Sequence, residues 1–208
     1  MTSKEKMFLE SKAWALETQS LDKVYFERLS GMHTPEILWI GSIDSLVPVR
    51  QLINADPGEV LVYRNMGVQI RQDDISMMAI IQDAVEVSKV EYIVVCGYSH
   101  CSGTQDVVLG NNDRPLVKMW LKDMRDLYEK HKNEFEDLDF EQRTKRLCEL
   151  NIQMQIINLS KVESIQKAWE RGNNPVLLGL YFDLSTGALK EIFSMEANYK
   201  LKQVASVA

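Results

Sequence analysis

The sequence predicts an α/β fold built on a mostly parallel sheet of about four strands, with an antiparallel strand added at one edge and helices flanking it. Three observations predict it. Short apolar, β-branched runs recur along the chain and stop at small residues; the clearest is residues 91–96, Glu-Tyr-Ile-Val-Val-Cys, which Gly97 is expected to end. Stretches with helical spacing separate these runs, as a parallel sheet with crossover helices requires. The last two runs are joined directly by the turn Ser185-Thr186-Gly187, which makes the final strand antiparallel.

Each element has its own signal. Residues 4–30 read as a helical arm, with Phe8, Leu9, Trp14, Leu16, Leu21, Tyr25 and Leu29 loosely at helical spacing. Residues 36–41 form an apolar run before small residues and suit a buried strand. Pro57-Gly58 is a turn, and residues 60–63 are a second strand. Residues 74–89 are helical, with Ile75, Met78, Ala79, Val85 and Val87 on an apolar side. Further helices are expected over 114–131 and, with a break, over 140–171, where Gly172 suits a C-cap. Residues 175–182 and 188–194 complete the strands. A chain of 208 residues is expected to form one domain, with an arm over 1–30 and a core over 31–208.

Composition narrows the function. A net charge of −6 without a long Lys/Arg cluster argues against nucleic-acid binding. No apolar run is long enough to span a bilayer, and the polar start, Met1-Thr2-Ser3-Lys4-Glu5-Lys6, lacks the apolar centre of a signal peptide. Three cysteines do not make a disulfide framework, so a reducing compartment, the cytoplasm, is expected. Cys96 and Cys148 sit in apolar surroundings and read as core.

Open α/β sheets take their ligands at the carboxyl ends of the strands. Ser42, Asn65 and Tyr98 all fall there. Around them stand Leu38-Trp39-Ile40-Gly41-Ser42-Ile43-Asp44-Ser45-Leu46-Val47 and Val94-Val95-Cys96-Gly97-Tyr98-Ser99-His100-Cys101-Ser102-Gly103. These segments resemble the two metal-binding segments of the β-class carbonic anhydrases, which read Cys-x-Asp-Ser-Arg and Cys-Gly-His-x-x-Cys. The resemblance runs from about Phe8 to Lys202 and includes Pro57-Gly58-Glu59, Arg64-Asn65 and Leu147-Cys148-Glu149-Leu150-Asn151. It implies a β-carbonic anhydrase-like fold and an N-terminal arm that wraps a partner subunit. It also implies a homodimer or a dimer of dimers, with active sites near the interface.

The family's chemistry uses a zinc ion held by two thiolates and an imidazole, which readies a water to attack carbon dioxide. Here Ser42 stands at the first ligand position, Tyr98 at the histidine and Leu46 at the arginine that pairs with the family's aspartate; Asp44 and Cys101 keep the family's residue types. Serine and tyrosine hydroxyls are poor zinc ligands. The sequence expectation is therefore no metal and no cofactor, and a zinc-independent, repurposed enzyme. It would carry out elimination or hydration, isomerisation or cyclisation on a small organic substrate.

In that reading, burial and the loss of a cationic partner raise the pKa of Asp44 and make it a general acid or base; alternatively it only caps a turn. Tyr98 gives a proton or binds an oxyanion, or else fills the space left by metal and imidazole. Cys101 is a thiol activated at a helix start beside His100, or a leftover. Ser42 shapes the site. Arg64, Asn65 and His100, with the N–H groups of Ser102 and Gly103, bind the substrate; alternatively Arg64 and Asn65 make structural hydrogen bonds to the neighbouring loop. Two alternatives stand beside it: a catalytically inactive binding or regulatory subunit, and a carbonic anhydrase with residual activity at an atypical metal site.

Overall fold

The computed structural model describes residues 2–31, 35–111 and 113–197; the stretch 198–202, into which the resemblance extends, lies outside the described residues. The arm is two helices, α1 (Ser3–Leu21) and α2 (Tyr25–Gly31). A capping box at Thr2 and Glu5 starts α1, and neither helix buries a residue within the chain. The core then runs β1 (Ile37–Ser42), α3 (Val49–Ile53), β2 (Val60–Asn65), α4 (Ile75–Asp83), β3 (Tyr92–Tyr98) and α5 (Ser102–Val108). It continues through α6 (Pro115–Trp120), α7 (Lys122–Lys130), α8 (Phe140–Leu159), α9 (Glu163–Glu170), β4 (Val176–Asp183) and β5 (Ala188–Met195).

The five strands lie in the order β2-β1-β3-β4-β5, parallel throughout except for the β4/β5 edge pair. Alternation along the strands divides the core between the two faces. Leu38, Ile40, Ile93, Val95 and Leu177 point to a cluster with Met77, Ile81, Ile156, Leu159 and Ile165, from α4, α8 and α9. Trp39, Val94, Cys96, Tyr98 and Phe182 point the other way, toward Val49 and Cys101.

The structure moves several expected boundaries. Strand β3 does not stop at Gly97 but continues to Tyr98, and Gly97 serves packing: a Cβ there would lie 2.4 Å from Cys148 Sγ and 2.9 Å from Ile152 Cδ1. Its bare backbone lets α8 lie directly on the strand. The helix expected over 74–89 gives way at Ala84–Ser88 to a wider turn, closed by Lys89 in the left-handed region at φ 56°. The 114–131 helix breaks at Leu121, while the break expected within 140–171 falls after Leu159. Helix α3, in a segment with few apolar repeats, is an element the sequence pattern missed.

Candidate active site

The parallel register brings the carboxyl ends of β1, β2 and β3 together, with Ser42 beside Asn65 and Gly41 beside Cys96. Ser42 is 1% exposed, Tyr98 5% and Cys101 2%, so the strand ends carry their polar groups into a largely dry site. Ser42 Oγ donates to Asp44 Oδ1 at 2.5 Å and lies 3.5 Å from Cys101 Sγ. The Ser102 N–H, in the first turn of α5, donates to Asp44 Oδ2 at 2.8 Å. Tyr98 Oη donates to the main-chain carbonyl of Asp44 at 2.9 Å. Asp44 is thus the hub, joined to Ser42, Tyr98 and Ser102, with Cys101 against Ser42.

The titration of this hub reverses the expectation for Asp44. Burial pushes its carboxyl up, but hydrogen bonds from Ser102, Ser42 and Tyr98 outweigh burial and hold it below the ordinary 3.8. Asp44 is therefore ionised at neutral pH. Because its folded value is the lower one, its contribution to stability is complete above the ordinary carboxylate range. That contribution is lost as pH falls through the depressed folded value. Carbon-13 NMR titration is expected to place the Asp44 carboxyl below 3.8, and a value near 6 would contradict the hydrogen-bonded hub. Tyr98 moves the other way: burial first, then the Asp44 and Cys101 charges, hold its phenol well above the ordinary tyrosine range. It keeps its proton.

The other residues expected at the site divide. Ser102 joins through its N–H. Gly103 meets the Met66–Val68 turn instead, where a Cβ would lie 3.0 Å from Gly67 Cα. Arg64 does not reach into the site; it donates to the carbonyls of Ser45 at 2.8 Å, Val47 at 3.3 Å and Ser42 at 3.5 Å, clamping the loop that carries Asp44. Asn65 is taken up by Gln69, accepting its N–H at 2.8 Å and donating to its carbonyl at 2.6 Å. His100, at φ 70°, lines a neighbouring cleft with Ser99, Lys145 and Tyr181, and no hydrogen bond joins it to Cys101 among the described residues. Leu46, at the family's arginine position, is 79% exposed.

Sequence reasoning missed the support behind the site. Gln69 Nε2 donates to the carbonyl of Gly67 and to Asn151 Oδ1, both at 2.8 Å, and Asn151 Nδ2 donates to Gly67 at 2.9 Å. Gln155 Nε2 reaches Asn151 Oδ1 at 2.9 Å, and its Oε1 accepts the Ile70 N–H at 2.8 Å. These buried amides tie α8 to the turn on which Gly103 rests. Their only sequence signal was amides at 151 and 155 on an otherwise apolar helix face.

An α/β chain with a five-stranded sheet of this order and a strand-end site of these residues has known relatives. The family model described as carbonic anhydrase matches residues 37–189, and the chain belongs to the β-class carbonic anhydrase family. It is 34% identical over 189 residues to a carbonic anhydrase of Emericella nidulans, covering 90% of this chain and 82% of that one. Among solved structures, the Coccomyxa β-carbonic anhydrase in complex with acetazolamide superposes with a TM-score of 0.87 at 27% identity, over 99% of this chain and 97% of that one. A tetrameric β-carbonic anhydrase from Sordaria macrospora gives 0.86 at 30% identity, over 92% and 98%.

Membership corrects two expectations. Relatives named carbonic anhydrase across most of the chain overturn the repurposed enzyme working on a different small organic substrate. The expectation of no cofactor falls with it, because the family points to zinc. The donors this chain offers at the strand ends are the Cys101 thiol, the Asp44 carboxylate and the hydroxyls of Ser42 and Tyr98. No group of three or more His, Cys, Asp or Glu side chains that could share an ion occurs among the described residues. That donor set does not fit a zinc held by two thiolates and an imidazole.

Proposed function

We propose that the chain acts on carbon dioxide and bicarbonate, as a lyase of its family. The observation that carries this reading is the 34% identity with a carbonic anhydrase over 90% of the chain. The strand-end position of the candidate site supports it. In this reading Ser42, Asp44, Tyr98 and Cys101 surround the reacting carbon, and the Ser102 N–H fixes Asp44. Asp44 remains an anion, and Tyr98 retains its proton and holds the Asp44 carbonyl. Arg64 keeps the Ser42–Val47 loop in place, and Asn65 and Gly103 belong to the wall. Stopped-flow hydration with a pH indicator is expected to show a rate proportional to protein concentration. It should fall about tenfold or more in Asp44→Ala, which removes the hub. A rate equal to that of the protein-free solution overturns the proposal.

The working form in this reading is a homodimer or a dimer of dimers. The arm supports it: Phe8, Leu9, Trp14, Leu16 and Leu21 are exposed, far more apolar surface than a free helix pair leaves in water. So does an apolar groove lined by Ile75, Leu116, Met119 and Trp120, and the half-exposed Val62 on the edge strand β2. Light scattering coupled to size exclusion is expected to give twice or four times 23.9 kDa; a monomer at micromolar concentration contradicts it.

A further inference from the structure

A second cleft, of about 460 Å³, lies at the other end of the sheet. Lys89 leads into β3 and Asn173 and Asn174 lead into β4, so the cleft sits at the amino ends of the parallel strands, away from Ser42 and Tyr98. Its floor is Val85, Ser164 and Ala168, all buried, and its rim is Glu86, Lys89, Lys167, Arg171, Asn173 and Asn174. Three cations thus face one carboxylate in a chain whose net charge is −6.

Two further observations mark it as more than a solvated rim. Ser164, Lys167, Ala168 and Arg171 share one face along α9 and its C-cap, which places Lys167 and Arg171 as a like-charged pair four residues apart. Such a pair destabilises a helix unless an anion lies between the charges. Lys167 has a partner in Glu163 at 2.6 Å, but Lys89 and Arg171 have no ion pair among the described residues. Ser164, in the floor, is 8% exposed and its hydroxyl has no hydrogen-bond partner among the described residues. A buried hydroxyl left without a partner is costly, and a ligand oxygen would remove that cost.

We propose that this cleft binds a small phosphate-bearing molecule. The phosphate lies among Lys89, Lys167 and Arg171, where a guanidinium and two ammonium groups match a dianion. The amides of Asn173 and Asn174 and the Ser164 hydroxyl complete its shell. The volume falls within the range of small-ligand sites, leaving room for a short organic portion beside Glu86. The proposal is independent of the carbon dioxide reading, since it uses none of the strand-end residues.

Isothermal titration of the full chain, at an ionic strength held constant with sodium chloride, tests it with two probes: inorganic phosphate and glycerol phosphate. Saturable binding of either is expected, and the tighter of the two shows whether the source is the free ion or an ester. Binding should weaken about tenfold or more in K167Q/R171Q and in K89Q, which touches no ion pair. Ser164→Ala should weaken it by a smaller factor. No saturable heat from either probe up to about 10 mM, or unchanged affinity in both charge variants, overturns the proposal.

Discussion

Replacing Ser42 by cysteine and Tyr98 by histidine together is expected to tighten zinc binding by about 100-fold or more. Loss of even an outer partner of a ligand costs 10- to 100-fold, and this pair of changes supplies two ligands. The geometry directs the expectation. Ser42 Oγ lies 3.5 Å from Cys101 Sγ, so a thiol on residue 42 would face the existing sulfur. Residue 98 ends the neighbouring strand, with its side chain turned toward the Asp44 loop. The double variant thereby gains one sulfur and one imidazole, which together with the existing Cys101 sulfur make up the donor set that suits this metal. Carbon dioxide hydration should rise with metal content. Competition with a chromophoric chelator measures the affinity; an unchanged value would mean that residues 42, 98 and 101 do not converge on one ion.

The second large effect is structural. Asn151→Leu is expected to destabilise the chain by about 3 kcal/mol, from loss of its hydrogen bonds and burial of unpaired partners. Among the described residues, Gln155 Nε2 would lose its only acceptor, Gln69 Nε2 one of two, and the Gly67 carbonyl one of two donors. Against a typical total of about 5–15 kcal/mol, that is a large share. Urea unfolding should show a lower midpoint at unchanged slope. A shift under about 0.5 kcal/mol would show that the amides are dispensable.

How much of this was legible beforehand depends on the range of the interactions. Strands β1 and β3 announce themselves because burial on both faces forces continuous apolar runs, the edge strands β2 and β5 are marked by the turns before them, and the positions of Ser42, Asn65 and Tyr98 follow from where the runs stop. Gly97 misled because glycine usually ends a run; here it answers to Cys148 and Ile152, some fifty residues away. Asp44 misled for a related reason. Burial and the absence of a neighbouring cation are readable locally, but much of the hydrogen bonding that keeps it ionised comes from Ser102, at the start of α5, and from Tyr98, both more than fifty residues along the chain. Arg64 and Asn65 sit where a substrate would, yet their donors are spent on carbonyls of the Asp44 loop and on Gln69. Reading ligand types alone also led away from the family's activity, because whole-chain similarity registers the framework and not two side chains.

Oxygen-18 exchange between labelled carbon dioxide and water in the presence of the protein, followed by mass spectrometry, reads interconversion with bicarbonate at equilibrium and so decides whether the chain turns over carbon dioxide. Label should be lost faster than in protein-free buffer, in proportion to chain concentration, and more slowly in Asp44→Ala than in the unsubstituted chain. Label loss at the protein-free rate would contradict the carbon dioxide reading.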